Sequence, residues 1–177
     1  CITADKIDVG AITAQKIDVR ALDVTDGLIG AWTLAGSTTA SIAVSGGIKD
    51  VSGNGKHGTA SGGTSVVQDS FNMLGPCFVF DGSNDAVNVG DVYSSSALTL
   101  TGWVYLSGAN ANYGTLFSRW NSAAADNAFY VGTVSNAHTR IQVNFNSSGV
   151  LIDVDCLTTG AWNHVAVVHT GSAVSLY

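Results

Sequence analysis

Polar and apolar residues alternate along TRIQVNFN (139–146). Ile141, Val143 and Phe145 fall on one side, and Arg140, Gln142, Asn144 and Asn146 on the other. A period of two belongs to a strand with one buried face. The Ser-Ser-Gly that follows (147–149) and the VLIDVD run ending at Asp155 predict a turn and a return strand. Similar short runs recur along the chain: LIGAWTL (28–34), CFVF (77–80), AVNV (86–89), LTLTGWVYL (98–106), GTLFSRW (114–120), NAFYVGTV (127–134), WNHVAVVHT (162–170) and AVSLY (173–177). CFVF and AVNV flank the turn DGSND. LTLTGWVYL reads as apolar on both faces and hence as a central strand. Short strands at intervals of ~8–15 residues, separated by Gly, Ser and Asn, predict an all-β antiparallel sandwich or jelly roll.

The first 26 residues follow another rule. ITADKIDVGA (2–11) and ITAQKIDVRA (12–21) share eight of ten positions. A repeat of ten is neither a heptad nor a hendecad, so it does not build a coiled coil. Units this small cannot bury Ile2, Ile7, Val9, Ile12, Ile17 and Val19 by themselves and need neighbours. Thr3 or Thr13 can cap one turn, and KIDV alternates like a short strand. A thin stalk of three intertwined copies meets these requirements; a flexible linker is the alternative. The predicted organisation is a stalk over 1–26 and a β body over 27–177. The chain starts inside a repeat without an initiator Met, so it is expected to be a piece of a longer polypeptide.

Charge narrows the partners. The net charge is −6 and the sequence pI about 4.7, which disfavours nucleic acid and anionic membrane surfaces. No run of about 18 apolar residues predicts a membrane-spanning helix. All 13 acidic residues are Asp. Cys1, Cys77 and Cys156 have no zinc-site spacing. Cys77 and Cys156 adjoin apolar runs and are expected as buried thiols, with a bridge between them as the alternative. His57, His138, His164 and His169 likewise show no metal-ligand spacing. His164 and His169 are five apart and fall on opposite faces of one strand.

DVSGNGKHGTA (50–60), FVFDGSNDAVNVG (78–90), LTLTGWVYL, GTLFSRW and GAWNHVAVVHTGSAVSLY (160–177) occur in that order. Together they resemble the signature stretches of concanavalin A-like jelly rolls of the laminin G/pentraxin type, over about residues 27–177. Such domains continue past the last of these stretches with further strands. The resemblance therefore implies that C-terminal strands are missing here. The decapeptides resemble ITADKI-type repeats of tail fibres and tail-tip host-specificity proteins of tailed bacteriophages. Stalk plus head implies a virion tail component, extracellular, whose partners are sister copies in a homotrimer, other tail proteins and a host cell-surface glycan or protein, with no nucleic acid and no membrane insertion. A purely structural or decorating module, a bacterial adhesin and a glycoside hydrolase are the alternatives.

Three kinds of chemistry are candidates. Calcium takes six to eight oxygens from loop Asp, Asn and carbonyl groups. Asp50 with Asn54, and Asp81 with Asn84 and Asp85, offer them, and the resemblance makes calcium plausible there. The competing role for Asp50 and Asp81 is a side-chain-closed turn. For ligand binding, Trp120 opens the polar loop SRWNSAAADN (118–127) beside Arg119, Asn121, Asp126 and Asn127, with Tyr113 and Tyr93 in loops nearby in sequence. A Trp120 that caps the core competes with this. Trp32, Trp103 and Trp162 lie in strand runs and are expected in the core. For hydrolysis, glucanases of the superfamily use paired Glu carboxylates, and this chain has no Glu. Asp153 and Asp155 share a strand face, but the predicted protein is not an enzyme.

Overall fold

The computed structural model describes residues 27–68, 75–92, 97–108, 114–119, 129–134, 137–145 and 149–177. The stalk predicted for residues 1–26 lies outside the described residues. The first half carries β1 (Trp32–Thr33), α1 (Thr39–Ile42), β2 (Lys49–Asp50), β3 (Thr59–Ser61), β4 (Ser65–Val67), β5 (Cys77–Val79) and β6 (Ala86–Asn88). The second half carries β7 (Leu98–Tyr105), β8 (Thr115–Arg119), β9 (Phe129–Val134), β10 (Ala137–Phe145), β11 (Val150–Asp155), β12 (Trp162–His169) and β13 (Val174–Leu176). The pairings within sheets are antiparallel.

Two larger sheets make the body of a concanavalin A-like sandwich. One has the order β11-β10-β9-β8, the other β13-β12-β7. The alternation of β10 does what its pattern predicts: Ile141, Val143 and Phe145 are buried at 0, 0 and 1% exposure. They share one core with Phe129 and Val131 of β9 and with Leu98, Val165 and Val167 from the opposite sheet. Burying each such side chain contributes about 1.5–3 kcal/mol. The β10–β11 hairpin forms in the expected place, with Ile141 opposite Val154 and Val143 opposite Ile152.

A second, smaller cluster joins Ile42, Ile48 and Ala60 to Trp32, Leu34, Val66, Phe78 and Val87. Ile42 reaches it from α1. That single helical turn is held by a capping box in which Thr38 and Ser41 each bond the other's backbone N–H.

Several expectations need correction. Within the 28–34 run only Trp32 and Thr33 form a strand, because side chains from residues 50–54 engage main-chain groups at Leu28, Ile29 and Ala31. CFVF and AVNV do not pair with each other. β5 pairs with β4, and β6 with β3, so the DGSND turn passes the chain from one ribbon to another. β7 is not central: among the described residues it ends its sheet, paired only to β12. No disulfide joins Cys77 and Cys156, and against the expectation of buried thiols Cys77 is half-buried and Cys156 exposed.

Candidate functional site

The segment DVSGNGKHG folds around one carboxylate. Asp50 is 8% exposed. Its Oδ1 accepts the backbone N–H groups of Ala31 and Ser52, both at 2.9 Å, and its Oδ2 accepts that of Lys56 at 2.9 Å. The Ala31 bond is the main cause that holds this carboxyl far below the usual carboxylate range. It acts against desolvation, with Ser52 and Lys56 adding to it. The Asp50 N–H donates to His57 Nδ1 at 3.1 Å. Asn54 Nδ2 donates to the carbonyls of Leu28 (2.7 Å) and Ile29 (3.2 Å). Amide hydrogens therefore point at the Asp50 oxygens that a cation would need, and Asn54 presents its amino group to the carbonyls. These two calcium candidates sit in a hydrogen-bonded clamp, a setting that does not fit a cation cradle.

The second candidate loop also bonds backbone N–H groups to its carboxylates, and it differs in one oxygen. Asp81 N–H donates to Asp85 Oδ2 at 2.8 Å, and Ser83 N–H to Asp81 Oδ1 at 2.7 Å. Asp85 Oδ1 is buried without a hydrogen-bond partner. Asn84 is exposed, and its carbonyl closes against Gly62, whose φ of +80° and crowding by that carbonyl exclude a side chain. Among the described residues no group of three or more His, Cys or Asp side chains is placed to hold a metal.

Of the polar loop proposed as a ligand face, Arg119 is described. It ends β8 and forms a two-pronged ion pair with Asp91, Nε to Oδ1 at 3.1 Å and Nη2 to Oδ2 at 3.2 Å. Lys56 Nζ donates to the Asp91 carbonyl at 3.2 Å. Arg119 thus ties β8 to the segment after β6. Trp120, Asn121, Asp126, Asn127, Tyr113 and Tyr93 lie outside the described residues.

Of the acidic pair on β11, Asp153 is engaged. Arg140 Nε donates to Asp153 Oδ1, and Gln142 Nε2 to Asp153 Oδ2 at 3.3 Å. The bond from Arg140 is the main cause that lowers the Asp153 pKa. A glycosidic general acid needs the opposite shift.

The residues that the pattern analysis missed lie on the outward face of β7 and β12. On β7 the even positions Leu98, Leu100, Gly102 and Val104 face the core, so Thr99, Thr101, Trp103 and Tyr105 face out. Trp103 is 60% exposed, against the expectation that it belongs to the core. Opposite it on β12 stands His164. Their ring centroids are 5.0 Å apart, tilted by 55°. His164 Nε2 is 2.8 Å from Thr101 Oγ1, which anchors the imidazole. One pleat further along, Tyr105 faces Trp162 with centroids 5.6 Å apart. His164 is outward and His169 buried, as their five-residue spacing predicts. The signal for Trp103 was present in the sequence: it shares parity with two threonines.

Two antiparallel sheets packed face to face around one core, with Trp103 exposed on an outward face, define a β-sandwich. Residues 81–177 match the Laminin_G_3 family model of the concanavalin A-like lectin/glucanases superfamily, and the chain belongs to that superfamily. No curated protein and no solved structure matches the chain.

Proposed function

We propose that the protein is the head of a tailed-phage fibre or tail tip, and that it attaches the virion to the bacterial surface without cleaving what it binds. The observation that carries the attachment role is the Trp103 ring, held on the rigid β7–β12 ladder yet 60% exposed. A large aromatic face fixed in position and left in water is suited to a ligand. Membership of a lectin/glucanase superfamily is compatible with carbohydrate or surface binding. The low Asp153 pKa supports the non-cleaving half, since an acid held ionised by Arg140 does not protonate a leaving group. The decapeptide resemblance supports the virion setting, with residues 1–26 zipping three copies together.

Calcium enters this proposal at the loop of Asp81, Asn84 and Asp85, where Asp85 Oδ1 has no hydrogen-bond donor. Water would complete the shell.

The test is adsorption of the labelled chain to intact bacteria and to purified envelope fractions. Saturable retention without release of reducing sugar is expected. Absence of saturable retention throughout, or release of reducing sugar, contradicts the proposal.

A further inference from the structure

We infer that His57 is an acid-sensitive latch on the 50–57 loop, which ties residues 28–32 to the rest of the body. The inference goes beyond the attachment reading and does not depend on it.

The latch is one hydrogen bond whose direction is fixed. The backbone N–H of Asp50 donates to His57 Nδ1 at 3.1 Å. A main-chain N–H can only donate, so Nδ1 is bare and the ring hydrogen sits on Nε2. An imidazolium carries hydrogen on both nitrogens and cannot accept this bond. Imidazole side chains as a class change charge between about pH 5 and 8. His57 is exposed, so solvent protons reach the ring directly. Asp50 is 8% exposed, and a charged ring leaves its N–H without the acceptor.

The surroundings do not offset that loss. Gly46 borders the His57 side chain and brings no charge. The charged groups of the adjoining segments are Lys49 and Asp50 on β2, Lys56 in the loop and Asp91 after β6. Lys49 Nζ donates to the Gly46 carbonyl at 3.1 Å and Lys56 Nζ to the Asp91 carbonyl at 3.2 Å, while the Asp91 carboxylate is paired with Arg119. The Asp50 carboxylate is a hydrogen-bond acceptor in this clamp and already holds the N–H groups of Ala31, Ser52 and Lys56. An imidazolium drawn toward it competes with those donors, which loosens the same clasp.

The loop carries the effect upstream. Asn54 holds the carbonyls of Leu28 and Ile29, and Trp32 Nε1 donates to the Lys56 carbonyl at 2.6 Å. Beneath the loop, the Ile48–Gly58 bridge is made by backbone groups alone and does not titrate. Mild acid therefore softens the joint where the body meets the residues before Gly27 and leaves both cores in place.

The experiment is amide hydrogen exchange and amide-correlation NMR on the full chain at pH 7.5 and 5.5, with exchange corrected for the intrinsic rate. Protection of the Asp50 amide falls by about three- to tenfold at the lower pH, and the Trp32 indole signal shifts over the same range. The β10 amides keep their protection. His57→Asn sets Oδ1 where Nδ1 stood and has no proton to take up in this range, so its Asp50 amide is protected equally at both values. Equal protection in the parent at the two pH values, a fall in His57→Asn as large as the parent's, or a matching fall in the β10 amides each overturns the inference.

Discussion

The carboxylate of Asp50 accepts the backbone N–H of Ala31, nineteen residues upstream, at 2.9 Å. With its bonds to Ser52 and Lys56, this makes Asp50 the clasp between the start of the described body and the 50–57 loop. Asn at this position can keep an oxygen for Ala31 and Ser52 but turns an amino group toward Lys56 N–H. Ala leaves all three donors without the acceptor. The melting temperature is therefore expected to fall in the order parent, Asp50→Asn, Asp50→Ala.

The same carboxylate gives a pH signature. Its pKa is depressed in the folded protein, so its contribution to stability is fully present above the unfolded value of about 3.9. It drains away as pH falls below that value toward the folded one. Asp50→Asn removes the titration. Thermal melts across the acid range should show the parent losing stability more steeply than Asp50→Asn, and parallel slopes would contradict the assignment.

Core and outward face should separate cleanly in denaturant titrations. Ile141 is fully buried between the sheets, so Ile141→Ala is expected to cost about 2–5 kcal/mol. Trp103 contributes no core contact, and Trp103→Ala should stay within about 0.5 kcal/mol of the parent. A large loss in Trp103→Ala would mean that the ring supports the fold.

Calcium, placed at the 81–85 loop, should raise the melting temperature as ligand binding to the folded state does. Asp85→Asn should abolish that rise, whereas Asp50→Asn should keep it. Melting curves with and without excess chelator provide the readout; identical curves for the parent remove calcium from the account.

Part of this was legible in the sequence, and for identifiable reasons. The β10–β11 hairpin could be read because one face is dry and the other wet, so Ile141, Val143 and Phe145 stand out with period two. β7 was misread because tryptophan and tyrosine count as apolar by type, although their parity with Thr99 and Thr101 puts them outside. The clasp at Asp50 could be anticipated only as a local turn, since Ala31 lies on another element. The Arg119–Asp91 pair spans 28 residues and leaves no mark in either local pattern. Likewise, β5 and β6 look like hairpin partners from their short separation, but long-range pairing with β4 and β3 wins.

The central claim is that ligand meets the protein at the Trp103 ring. An amide-correlation NMR spectrum reports each indole N–H separately, and Trp32 serves as an internal control because its Nε1 donates to the Lys56 carbonyl at 2.6 Å within the clasp. On addition of the soluble envelope fraction that binds best, the Trp103 indole signal should shift while that of Trp32 stays in place. A titration in which Trp103 remains still, or in which Trp32 moves instead, would contradict the account.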